Sequence, residues 1–231
     1  MIQRRDRFEP IADAYDLMAQ TTSAERYASL LDNVPEGVTR ALDVGCGSAI
    51  LTVRVAHKVG FVVGIDVSPS MLALARKRCA ANGRNVVLLF ADVARPPFPD
   101  GSFDLIVSCN VLQALPLDST LQVLRRLVRP GGRIVIELRV SSWPRLHRWR
   151  PWRLLSALLS IPRLVLRYGQ HSAWRIAEAR LRRALRWPWA EVLLPTPAAV
   201  DDACKRSLPG CHVVQRAPWA MTAVWDAPRT T

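Results

Sequence analysis

The hydrophobic and polar positions change rhythm three times along the chain. Residues 1–35 read as two short helices: "IADAYDLMAQ" and "SAERYASLLDNV" carry apolar residues at helical spacing, with Ser23 placed to cap the second. From residue 40 short, nearly continuous apolar runs alternate with helical patterns. "RALDV", "FVVGID", "NVVLLFAD", "FDLIVSCN" and "RIVIEL" read as five strands. Helices lie between them at "AILTVRVAHKV", "SPSMLALARKRCAAN" and "DSTLQVLRRLV". The second of these opens with Ser68 as N-cap and Pro69 at the first helical position. Strands that are apolar on both faces and separated by helices predict a parallel sheet covered on each side. After Leu138 the alternation stops for more than fifty residues. It resumes with a helix, "TPAAVDDACKRSL", and two strands, "CHVVQR" and "WAMTAVW", joined tightly enough to be antiparallel. The expected architecture is therefore α/β and Rossmann-like. It has about seven strands with the last antiparallel, helices on both faces, and a helical cap inserted after strand five. One domain over 1–231 divides into N-terminal helices (1–35), a core (36–138), a cap (139–195) and a C-terminal helix and strand pair (196–231).

A length of 231 residues with half of them hydrophobic suffices for one sizeable core. The N-terminal "MIQRRDRFEPIADAYD" lacks the apolar centre of a secretory signal, and no apolar run reaches membrane-spanning length. Five cysteines, odd in number and without a CxxC pair, read as reduced thiols of a cytoplasmic protein, and the scattered histidines give no metal site. Charge changes the picture more. The net charge is +13, yet residues 139–187 alone hold twelve arginines, no lysine and one acid, Glu178, a net of +11. Six of the eight tryptophans (Trp143, Trp149, Trp152, Trp174, Trp187 and Trp189) fall in or beside that segment.

Candidate chemistry sits at the strand ends. Asp43 ends the first strand, and Gly45 and Gly47 lie between it and the helix, where glycines permit a tight turn and close ligand approach. Asp66 ends the second strand and is placed to accept two hydrogen bonds from a ribose diol. Asp92 ends the third, beside Val93, where a carboxylate can accept from an exocyclic amine. Three acids on three consecutive strand ends face one crevice. A third glycine after Gly45 and Gly47 is replaced by Ala49, expected here to begin the helix with ordinary backbone angles.

"ALDVGCGSAILT", "VVGIDVSPSMLALAR", "FADVARPPFPDGSFDLIVSCNVLQAL" and "LRRLVRPGGRIVIEL", in this order, resemble class I S-adenosylmethionine-dependent methyltransferases. The likeness is greatest to the small-molecule branch that includes quinone-biosynthesis enzymes. It extends over roughly residues 8–138, with weaker agreement at 196–225. The resemblance implies S-adenosylmethionine as cofactor and methyl transfer to a small acceptor. It also implies roles for individual residues. Asp43, Gly45, Cys46 and Gly47 would form the loop that holds the methionine part, and Asp66 would bind the ribose. Val67 and Met71 would line the adenosine, and Asp92 with Val93 would contact the adenine. Asn110 would lie beneath the methyl group, and Tyr15 of "IADAYD" would close over the cofactor. Gln113 and Ala114 stand where relatives often have histidine, so no catalytic base is evident. His147, His171 and Tyr15 are the remaining candidates. His57, mid-helix, reads as a surface residue, and His212 starts a strand far from the crevice.

In "SAWRIAEARLRRALRW", Trp174, Ala177, Leu181, Ala184 and Leu185 are expected to share one face, with arginine on the other. The cap admits several readings. It is a solvated basic face over packed helices, or a segment lying on an anionic membrane surface, where Trp sits at headgroup level. A nucleic-acid surface is less favoured, because the apolar run "WRLLSALLSIPRLVL" does not suit an exposed RNA groove. RNA methylation is thus the alternative catalytic function. A non-catalytic interaction protein is the alternative outside catalysis.

Overall fold

The computed structural model describes residues 12–82, 85–141 and 194–229, with helical residue pairs between 158 and 178. Within these, seven strands form one sheet: β1 (Arg40–Val44), β2 (Phe61–Asp66), β3 (Val86–Phe90), β4 (Phe103–Cys109), β5 (Val128–Arg139), β6 (His212–Ala217) and β7 (Ala220–Asp226). Their order is β3-β2-β1-β4-β5-β7-β6. The first five are parallel, and β7 runs antiparallel to both β5 and β6. This is the predicted Rossmann-like sheet, including its single reversed strand.

Helices α1 (Ala12–Leu31), α2 (Ile50–Ala56) and α3 (Pro69–Asn82) cover one face. There Tyr27, Leu30, Ile50, Leu51 and Val55 pack on Ala41, Val62, Leu105, Val107 and Val135. Helices α4 (Leu117–Leu127) and α5 (Pro197–Ser207) cover the other. Leu121, Leu124, Leu127, Val200 and Ala203 meet Leu42, Val63, Ile106, Ile134 and Ile136 there. Alternate residues of each central strand thus serve opposite cores, which is why the strands read as unbroken apolar runs. Ser68 caps α3 by accepting from the Met71 amide at 3.3 Å, and Thr196 caps α5 from the Ala199 amide at 3.2 Å.

Two expectations change. The N-terminal segment is one helix from Ala12 to Leu31, not two. Ser23 is a competent cap, but no Gly or Pro interrupts the chain around it, and the anchoring of Tyr27 and Leu30 in the core favours an uninterrupted rod. His57 is not mid-helix, because α2 stops at Ala56 and His57 is its exposed C-cap.

At the amino ends of the strands, Asp104 of β4 accepts hydrogen bonds from the Thr39 and Arg40 amides, both at 2.8 Å, and from the Thr39 hydroxyl. Arg129 Nε lies 2.7 Å from its second oxygen. The carboxyl ends of β1 and β4 open the other way. Connections leave these neighbours in opposite directions across the sheet, the switch point where open α/β sheets bind ligands.

Candidate functional site

The loop after β1 is drawn onto the end of β2. The amides of Gly45 and Cys46 both donate to the Ile65 carbonyl, at 2.8 and 3.0 Å. The Gly47 amide donates to Asp66 Oδ2 at 2.9 Å. Asp66 Oδ1 accepts from the Ser68 amide, also at 2.9 Å. Burial pushes the Asp66 carboxyl above its ordinary range, while these backbone donors oppose the rise. Each of its oxygens has one further lone-pair direction for a hydroxyl donor. Asp43 sits deeper, 1% exposed, and accepts from the Thr52 hydroxyl at 2.6 Å. Burial and, secondarily, the charge of Asp66 push its pKa up to about 7, although the Thr52 hydrogen bond pulls the other way.

Backbone conformation explains the glycines. Gly45 and Gly47 have φ of 70° and 53°. At Gly45 an added Cβ would lie 2.3 Å from a γ-carbon of Val111, so a side chain is excluded there by the loop after β4. At Gly47 an added Cβ would meet nothing within 4 Å and would project into open space. That bare, left-handed position at the mouth of the crevice fits close approach by a ligand such as S-adenosylmethionine.

Ala49 overturns the expectation set for it. Its φ is 62°, so it occupies the left-handed region as the N-cap of α2 rather than ordinary helical space. Outside glycine this conformation costs ~1–2 kcal/mol. The residue is fully buried, and its methyl packs with Val53, Ala75 and Cys79. That contact offsets much of the strain at about 0.8 kcal/mol per buried carbon.

Besides Gly45 and Gly47, four of the sequence-predicted residues keep part of their surface at the crevice rim: Asp66 at the end of β2, Val67 just beyond it, Asp92 after β3, and Asn110 after β4. Asp92 and Asn110 lie beyond their strands rather than at the last positions, since β3 stops at Phe90 and β4 at Cys109. Asp92 Oδ1 accepts from the Ala94 amide at 2.9 Å, which fixes its turn. Asn110 is left-handed at φ 58°, and its amide nitrogen donates to the Glu137 carbonyl at 2.9 Å. Cys46, Met71 and Val93 are buried, at 7, 2 and 6% exposure. The Cys46 side chain turns into the sheet against Gly64, so it faces away from the crevice and only its backbone remains on the loop. Tyr15 lies on α1, but its side chain, like His147 and His171, falls outside the described residues. Among the described residues no cluster of His, Cys, Asp or Glu is arranged to hold a metal ion.

Sequence reasoning missed four participants. Val111 presses on Gly45. Phe90, 46% exposed, pairs with Asp66 across β2 and β3 at the rim. Thr52 donates to one oxygen of Asp43, and its signal was legible as a hydroxyl in the first turn of the following helix. Arg78 reaches the glycine loop from α3, which no local pattern announced. In the cap, Ala173 and Ala177 are buried, four residues apart, whereas Trp174 is 68% exposed. Trp174 therefore does not share the buried side with Ala177, as small residues rather than the indole face inward. Leu181, Ala184 and Leu185 lie outside the described residues.

The comparisons agree with this architecture. Residues 41–132 match the methyltransferase domain family. The matched span holds the crevice and its glycine loop and is similar to S-adenosylmethionine-dependent methyltransferases. A demethylmenaquinone methyltransferase of Bacillus cereus is 33% identical over 142 residues, covering 56% of this chain and 59% of the relative. The enzyme of that name from Anoxybacillus flavithermus is 34% identical over 139 residues, covering 55% and 58%. The chain thus spans under two thirds of the length of these relatives. Among solved structures, a SAM-dependent methyltransferase from Aquifex aeolicus superposes with a TM-score of 0.59 at 16% identity, covering 92% of this chain and 97% of that one. A geranyl diphosphate methyltransferase superposes at 0.60 and 16%, covering 88% and 77%. At such identity these two share the fold.

Proposed function

We propose that the chain transfers a methyl group from S-adenosylmethionine to a small lipophilic acceptor that it meets at an anionic membrane surface. The carrying observation is the outward face of the cap. Leu158, Leu159, Leu166 and Trp174 are 53, 65, 88 and 68% exposed, within the segment of net charge +11. Apolar side chains directed outward beside many arginines suit the headgroup region, where buried apolar area and attraction to anionic lipid add. No helix of the described residues is long and apolar enough to cross a membrane, and the proposed association is peripheral. The relatives' acceptor, demethylmenaquinone, is of this lipophilic kind.

Bound S-adenosylmethionine supplies a sulfonium methyl group. Held in this crevice, that methyl would be open to displacement from sulfur by the acceptor's lone pair, and any proton on the acceptor atom would pass to solvent. This chain's part is binding and orientation, because an in-line displacement is governed by proximity. Asp66 accepts from the ribose, Gly47 lets the ligand approach the backbone, Asp92 and Val93 hold the adenine, and Asn110 borders the methyl. The resemblance gives Tyr15, on α1, the role of closing the site.

Sedimentation with vesicles tests the reading. Binding to vesicles containing anionic lipid, weakening with salt, together with methylation of demethylmenaquinone held in them, is the expected result. Equal binding to neutral vesicles, or methylation of RNA in preference to the quinone, would overturn it.

A further inference from the structure

Three segments distant in sequence converge on one guanidinium. Arg78, in α3, directs Nη2 at both carboxylate oxygens of Asp16 in α1, at 2.9 and 3.1 Å. Its Nη1 donates to the carbonyl oxygen of Ser48 in the glycine loop. The pair is largely shielded, with side-chain exposures of 19 and 11%. Gln20, one turn further along α1, donates to Asp16 Oδ2 at 2.7 Å and orients the carboxylate. The residue after Ser48 is Ala49, the strained N-cap of α2. A planar fork can satisfy a bidentate carboxylate and a carbonyl together, which an ammonium on a flexible stem does not reproduce.

We propose that Arg78 is a positioning residue that makes the seating of α1 a condition for the cofactor-ready form of the glycine loop. By holding the Ser48 carbonyl, it fixes the peptide between Ser48 and Ala49 and keeps Ala49 in its left-handed well. By holding Asp16, it ties that peptide to the helix carrying Tyr15. Neither contact touches the cofactor, so the effect on binding passes through the loop. Coupling of this kind is reciprocal: whatever seats α1 favours the cofactor, and the cofactor favours a seated α1. An ion pair that merely glued α1 to α3 would give stability without this linkage.

The test measures S-adenosylmethionine affinity by calorimetry for the wild type, Asp16→Asn, Arg78→Gln, the double variant and Arg78→Lys. Limited proteolysis of α1 is followed with and without cofactor. Each single variant is expected to raise Kd about tenfold, and the double variant to stay within threefold of the singles, because both act through one linkage. Arg78→Lys is expected to remain as weak as Arg78→Gln. Cofactor should protect α1 from protease in the wild type but not in Arg78→Gln. Single variants within twofold of wild type, effects that multiply in the double, or rescue by lysine would each overturn the proposal. If the Arg78 variants do not fold, Asp16→Asn decides alone. A raised Kd with cofactor protection of α1 abolished supports the linkage, and an unchanged Kd overturns it. The wild-type titration separates this proposal from the cofactor reading, since absence of any binding there would sink both.

Discussion

The loops after β1 and after β4 face each other across the crevice, and each holds one non-glycine residue in the left-handed region. They solve the same strain differently. Ala49, at φ 62°, is fully buried and packed by its methyl. Asn110, at φ 58°, is part-exposed, and its side-chain amide rests 3.4 Å from the Cys109 sulfur, a weak acceptor. Asparagine tolerates this region through its short polar side chain, so no packing is required of it. The first loop is also the more fully committed. Four of its amides, those of Gly45, Cys46, Gly47 and Ala49, end on Ile65, Asp66 or Cys46. The difference separates a loop held rigidly by its own amides from a softer one on the opposite side of the crevice.

The sharpest way to break that contrast is Gly45→Ala, because Val111 makes the two loops touch at this residue. A Cβ 2.3 Å from Val111, on a backbone of φ 70°, leaves no cheap adjustment. We expect a loss of about 3 kcal/mol or more in denaturant unfolding, from strain and overpacking together, and no measurable cofactor binding.

Next in size is a pH effect confined to the first loop. The folded pKa of Asp43, about 7, lies above the ordinary value near 3.8, so the folded chain holds this proton more tightly than the unfolded one. Stability from this group is therefore full below pH 4 and declines as pH rises toward 7. The total cost at higher pH is on the order of 4 kcal/mol. Asp43→Asn should flatten that part of the stability–pH curve; an unchanged slope would mean that Asp43 is not the group responsible.

Asp66→Asn should weaken S-adenosylmethionine by tenfold or more in a calorimetric titration, because the amide presents one acceptor atom where the carboxylate presents two. Retained affinity would remove Asp66 from the ribose role. The smallest expected effect is Ala49→Gly. Relief of strain is opposed by loss of the buried methyl and by the greater freedom of unfolded glycine, so stability should stay within about 1 kcal/mol of wild type. A gain well above that would show that the methyl contact with Ala75 and Cys79 contributes little.

The same contrast explains what was legible beforehand. The sheet could be read because burial on both faces forces continuous apolar strands, and α3 because Ser68 and Pro69 mark its start. Gly45, Gly47 and Asp66 could be read because tight turns and strand ends restrict residue choice. The conformation of Ala49 could not, since alanine suits a helix start and only its surroundings hold it left-handed. The Arg78 contacts were equally silent: sixty-two residues separate it from Asp16, and an arginine on a helix ordinarily reads as solvated. Cys46 reads as a cofactor residue by its place in the motif, yet the loop turns its side chain inward against Gly64. Ser23, a good cap residue, suggests a boundary within the N-terminal segment, yet nothing there breaks a helix.

The Asp104 clasp has a mechanical consequence at the far end of the sheet. It joins the beginnings of β1 and β4 through two amides and a hydroxyl, and Arg129 of β5 meets its other oxygen. Two neighbouring strands riveted at one end can spread only at the other, so breathing motions between them are directed into the crevice. Burial raises the Asp104 pKa, but the Thr39 hydroxyl, the two amides and the Arg129 charge outweigh it and leave the carboxyl below its ordinary range. The rivet is thus fully set above the usual carboxylate pKa and loosens as acid protonates it, the reverse of Asp43. Acid therefore slackens the pivot of the sheet while relaxing the buried charge beside its mouth.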